Sequence, residues 1–143
     1  ERHEIGRADA RAMFDKLGTV RIAEVQPALQ ARYKSTSSGS VPGSGHLRID
    51  ARASACDDPR INATLYDFDA AGVLQAITAV WARPPGPAPA PLFHERAATL
   101  ARVFGLPAPT SPTRLEGRSS TARIVLQDLP ERGLLLEGYA APK

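Results

Sequence analysis

Hydrophobic and polar positions change rhythm several times along the chain, and the densest apolar stretch is Ile61 to Trp81, INATLYDFDAAGVLQAITAVW. β-Branched, aromatic and aliphatic residues crowd both halves of it. Asp69-Ala70-Ala71-Gly72 interrupts them, and Gly72 can take the positive φ that closes a short loop, so the pattern predicts a β-hairpin. Leu65, Asp67, Phe68, Gly72, Val73 and Leu74 are echoed 61 positions later by Leu126, Asp128, Leu129, Gly133, Leu134 and Leu135. A second hairpin in the same sheet is therefore expected, with strands over Thr121–Gln127 and Leu134–Tyr139 and a turn at Asp128–Gly133. Upstream, His46 to Ala55 alternates strictly. Leu47, Ile49, Ala51, Ala53 and Ala55 face one way, and His46, Arg48, Asp50, Arg52 and Ser54 the other, which predicts a half-buried strand with a charged face. Asp57, Asp58 and Pro59 turn it into the central hairpin.

Helical spacing appears in three places. Ala8, Ala12, Met13 and Leu17, followed by Gly18, predict an amphipathic helix over residues 7–17. Thr19 is a candidate cap for a second helix using Val20, Ala23, Val25 and Leu29; Pro27 removes a helical hydrogen bond at a cost of about 3 kcal/mol, so a break or start is expected near Gln26, with a strand over Val20–Val25 as the alternative. The strongest helix runs from Phe93 to Phe104. Phe93, Ala97, Leu100, Ala101 and Phe104 share one face, Pro91 stands near its start and Gly105 follows its end. Together these elements predict an α+β fold, a single domain over residues 1–143 with an antiparallel sheet of about five strands and two or three helices packed on one face.

Two segments lack either rhythm. Residues 35–45, STSSGSVPGSG, hold too few apolar side chains to pack a core and are expected to form a flexible Gly/Ser loop. Residues 83–91, RPPGPAPAP, are expected to form an extended polyproline-like bridge.

Composition narrows the picture modestly. The chain has 143 residues, 43% apolar and 23% charged, which suits one globular domain. The net charge is +3, but fifteen arginines and three lysines are scattered among fifteen acids, so no basic stripe points to nucleic acid. The bias toward Arg, Ala and Pro suits a GC-rich bacterial genome. Cys56 is the sole cysteine, which rules out an intrachain disulfide and a four-cysteine zinc site, and is read as a partly buried structural thiol. No apolar run reaches the roughly eighteen residues a membrane helix requires. The chain begins at Glu1 without an initiator Met, which fits a cleaved leader and a periplasmic or secreted location, or excision from a longer chain.

Candidate chemistry is sparse. Asp67, Asp69 and Gly72 open like a calcium loop, but the twelfth position is Thr78, where a bidentate carboxylate is needed. His3, His46 and His94 are dispersed, Asn62-Ala63-Thr64 sits in a predicted strand, and no serine or threonine has an activating frame; no catalytic residue, metal or cofactor is expected. Tyr66, Trp81 and Tyr139, with Arg48 and Arg52, are the candidate binding residues, because Trp, Tyr and Arg dominate protein interfaces; if helices cover the three aromatics, they are core. The layout, with Ile5-Gly6, Leu17-Gly18 and the DAAGVLQ segment Asp69–Gln75, resembles small bacterial envelope proteins of the BamE/SmpA and β-lactamase-inhibitor-protein types. That resemblance implies helices on an antiparallel sheet that binds proteins through a sheet face. The expectation is a non-enzymatic protein-binding module, compatible with self-association. The alternative is a small-ligand binder or enzyme with a pocket between helix and sheet, anchored by Asp50, Asp67 or His46.

Overall fold

The computed structural model describes residues 17–52, 58–109 and 111–142. The expected helix over 7–17, apart from Leu17, and Cys56 lie outside them. The fold is α+β, with one antiparallel sheet carrying helices on one face. Seven strands form the sheet where about five are expected: β1 (Ser35–Ser40), β2 (Leu47–Arg52), β3 (Ile61–Phe68), β4 (Leu74–Ala82), β5 (Arg114–Arg118), β6 (Arg123–Leu129) and β7 (Leu134–Ala140). Their spatial order is β1-β2-β3-β4-β7-β6-β5. Each neighbouring pair is antiparallel. Two α-helices are present among the described residues, α1 (Ile22–Arg32) before β1 and α2 (Pro91–Phe104) between β4 and β5.

Both predicted hairpins form, and their turns have clear causes. Asp69 Oδ1 accepts from the N–H groups of Ala71 and Val73 at 2.9 Å each, its Oδ2 accepts from the Gln75 amide, and Gly72 takes φ 82°. The carboxylate that suggested calcium thus organises the turn. In the second hairpin a one-turn 3-10 helix, Pro130–Arg132, ends at Gly133 with φ 65°.

The added strands are those whose pattern is least apolar. β1 turns half of the expected Gly/Ser loop into an edge strand, fully paired with β2 from Ser35↔Arg52 to Ser40↔Leu47. Its stability comes from backbone bonds, since most of its side chains are exposed. β5 buries only Leu115 deeply and pairs with β6 on the opposite edge.

α1 also departs from expectation. It runs through Pro27, and its N-cap is Arg21, not Thr19. Pro27 and Ala23 face solvent, while Val25 and Leu29 bury on either side of the proline and hold the helix down. Its first N–H, on Ile22, donates to Gly72 O at 2.8 Å, so the hairpin turn satisfies a helix terminus that no side chain caps. α2 matches its prediction closely, with Pro91 in its first turn and Gly105 in the left-handed region. Phe93, Ala97 and Leu100 are buried, whereas Ala101 is exposed and Leu92 and Arg96 complete the inner face.

The proline segment does not span as an extended bridge. It curls around Arg83, whose side chain is 1% exposed. Arg83 Nη1 donates to Pro84 O and Gly86 O, Nη2 donates to Pro87 O, and Nε and Nη2 together grip the fully buried Asp128 of β6. Asp128 Oδ2 also accepts from the Ala90 N–H just ahead of α2. All five guanidinium protons are used, which is the condition under which a charge tolerates burial. Removing one member leaves the other unpaired inside the protein, so Arg83→Ala is expected to cost about 3–5 kcal/mol in urea unfolding, comparable to or above the roughly 2–5 kcal/mol for Leu100→Ala. A loss under about 1 kcal/mol at Arg83 would contradict this account.

Candidate functional site: the open face of the sheet

Alternation along each strand sends one set of side chains under the helices and the other outward. On the helix side, Ile49, Tyr66, Ile77, Tyr139 and Ile124 form one continuous row across β2, β3, β4, β7 and β6. The neighbouring row is Ala51, Thr64, Ala79, Glu137, Leu126 and Leu115. Both rows are buried. The three candidate aromatics belong here: Tyr66 is 6% exposed, Trp81 0% and Tyr139 1%. They are core, so the proposed patch is corrected. Arg48 and Arg52 stand on the other side of the sheet, and no single surface combines them with the aromatics.

Tyr66 pairs with Tyr33 through their hydroxyls, whereas Trp81 and Tyr139 are held by a charged network that the sequence pattern conceals. Arg96 of α2 reaches into the sheet and donates through Nε and Nη2 to Glu137 of β7, at 2.6 and 2.9 Å, with both side chains nearly inaccessible. Tyr139 Oη donates to the same carboxylate at 2.6 Å. The Arg96 guanidinium lies 4.6 Å from the centroid of the Trp81 ring, and Arg60 lies 5.5 Å from it. Arg60 in turn binds Asp58 and Glu95, so Glu95 ties the outer surface of α2 to the start of β3. Burial disfavours the charge on Arg96, but the Glu137 hydrogen bond and charge outweigh it and its pKa rises. The Arg60 hydrogen bond holds the Glu95 carboxyl below its ordinary range. In the tripeptide His94-Glu95-Arg96, His94 and Glu95 are exposed and Arg96 alone turns inward.

The outward face has no described helix over it. Leu65, Thr78, Gly138 and Val125 stand side by side on β3, β4, β7 and β6. Val80 and Leu136 pair in the next row, and Ala76 and Ala140 in the row on the other side. All eight are half-buried. The centre is low, because Gly138 has no side chain and Thr78, Ala76 and Ala140 are small. Charges flank this apolar floor. Arg48 donates to Asp67 at 2.6 Å and Arg52 to Asp50 at 3.0 Å on the β2–β3 side, while Arg114, Glu116, Arg118 and Arg123 stand on the β5–β6 side. The hydrogen bonds to Asp67 and Asp50 raise the pKa of Arg48 and of Arg52. Asp50 and Asp67 thus face outward in ion pairs and His46 lies in the β1–β2 connection, so the three suggested anchors do not converge between helix and sheet.

The apolar floor was readable in principle. Leu65, Val80, Val125 and Leu136 sit at the alternate positions that a one-sided sheet leaves outward, but a half-apolar strand looks the same whichever face is covered. No family model, curated protein or solved structure matches the chain. The class is thus set by the fold alone, a seven-stranded antiparallel sheet with helices on one side.

Tyr139 provides a pH test of the buried network. Burial first, then the adjacent Glu137 charge, pushes its phenol well above the ordinary value of 10.0. A raised folded pKa means that the contribution to stability is complete below the unfolded value and is lost as pH climbs above it toward the folded one. Stability is therefore expected to fall from about pH 10 upward, with the Tyr139 phenolate appearing only as the chain unfolds. Tyr139→Phe should flatten that alkaline decline in urea midpoints. Reversible titration of all three tyrosines near the ordinary value in the folded protein would rule the network out.

Proposed function

We propose that the protein is a non-enzymatic protein-binding module whose contact surface is the open sheet face, and that it works in the bacterial envelope or outside the cell. The observation that carries the reading is the stripe of Leu65, Val80, Val125 and Leu136 around the low Gly138 floor, rimmed by ion-paired arginines. Apolar centres with charged, arginine-bearing rims are the ordinary anatomy of protein interfaces. The low floor suits a partner that presents a ridge of apolar side chains, such as one face of an amphipathic helix. On the helix-covered side, by contrast, Trp81, Tyr139, Phe93 and Leu100 fill the space between sheet and α2, which leaves the ligand-pocket alternative without a specific observation in its favour. The envelope placement rests on the resemblance of the layout. No helix among the described residues is long and apolar enough to cross a membrane.

A photo-crosslinker placed at Leu136 is expected to trap a partner that one placed at Glu24, on the solvent side of α1, does not. With that partner purified, Leu136→Asp should weaken binding at least about tenfold while the circular dichroism spectrum and urea midpoint stay near those of the parent. Unchanged affinity in Leu136→Asp, or equal trapping from both positions, would remove the open face from the reading.

A further inference from the structure

The two edges of the sheet are built differently. β5 carries Arg114, Glu116 and Arg118 and follows a segment with prolines at 107, 109 and 112, and charges and prolines are the usual devices that stop an edge from pairing. β1, STSSGS, has no charge and no proline, and its ladder with β2 runs without a bulge. Its side chains are exposed on both faces apart from a half-buried Thr36. Serine and glycine are poor strand formers, so backbone pairing on one side is what keeps this segment extended.

The direction of its free backbone groups follows from one bond. Val41 N–H donates to His46 O at 2.8 Å, in line with the register of the β1–β2 ladder. Alternation then points Ser35, Ser37 and Gly39 toward β2, and leaves the N–H and C=O groups of Thr36, Ser38 and Ser40 directed away from the sheet. Among the described residues no strand pairs with that edge.

We propose that the β1 edge binds β1 of a second copy of this chain, antiparallel about a two-fold axis at Ser38, to make one continuous sheet of fourteen strands. The register is fixed by two conditions. Residues directly opposite must share a face, and the outward-directed groups must meet each other. Ser38 opposite Ser38 and Thr36 opposite Ser40 satisfy both, and give about six backbone hydrogen bonds. Like charges never meet along this ladder. On the open face the same symmetry sets Asp50 in the same row as Arg48 of the second copy, with only Ser37 and Gly39 between them, so the flanking charges are complementary as well. The proposal is independent of what the open face binds, although the dimer would present two such faces side by side.

The test is sedimentation equilibrium of the full chain over a wide concentration range. The expected result is a species of twice 15.3 kDa. Ser38→Pro removes a donor that the β1–β2 ladder does not use, so the monomer should keep its spectrum while the dissociation constant rises at least about tenfold. Ser38→Lys, which sets two cations across the axis, should act in the same direction. In a Cys56→Ser background, Ser38→Cys should form a crosslinked dimer on mild oxidation, since Cα atoms about 5.5 Å apart fall within disulfide reach. A monomer at every concentration overturns the proposal. So does a dimer that ignores Ser38→Lys and gives no crosslink from Ser38→Cys, because its interface then lies elsewhere.

Discussion

The ion pair between Arg96 and Glu137 is the constraint on which the arrangement of this molecule depends. A carboxylate at the middle of a seven-stranded sheet, wholly out of water, is tolerable only when a cation arrives in one position and one orientation. That cation comes from α2, so the helix can occupy one register along the sheet and no other. Trp81 beneath the guanidinium and Tyr139 beside the carboxylate extend the same condition to β4 and β7. Arg83 and Asp128 repeat the device at the entrance to α2, with a proline loop supplying the remaining acceptors. Such pairs add less net stability than an apolar core would, but they fix which packing is allowed.

Periodicity in the sequence exposed the elements whose apolar residues recur and missed those that recur in polar form. The two hairpins, the strand after His46 and α2 were legible because packing and pattern agree there. β1 was not, because its six residues carry no apolar signal and are held by hydrogen bonds that any sequence can make. The repeat at 61 residues was half right. Gly72 and Gly133 both take positive φ, and Leu74 and Leu135 are both buried. Before the turns the correspondence fails, since Asp67 faces outward to Arg48 while Asp128 is buried against Arg83. A register shift between Asp67 and Phe68, which β6 and β7 lack, moves the first hairpin out of phase.

The same cause explains the candidate binding residues. Aromatic side chains on strands suit an interface and a core equally well, and only the position of the helices decides between them. Glu137 could have been noticed between Leu135 and Tyr139, and Asp128 after Ile124 and Leu126, since both carboxylates fall on the apolar beat of their strands. A charge in that place signals a buried partner. The open face was harder to see, because its residues are individually unexceptional and become a surface only when four strands bring them together.

The order of the strands has a bearing on how the chain reaches this state. β1 to β4 close on each other through short connections, and so do β5 to β7, whereas β4 meets β7 only after α2, β5 and β6 have intervened in the chain. Local meanders can assemble while loop-closure entropy is still small; the β4–β7 ladder must wait until that cost has been met. The joint between the two halves is therefore the contact with the largest loop-closure cost, and until it forms β4 and β7 each leave one strand edge unpaired.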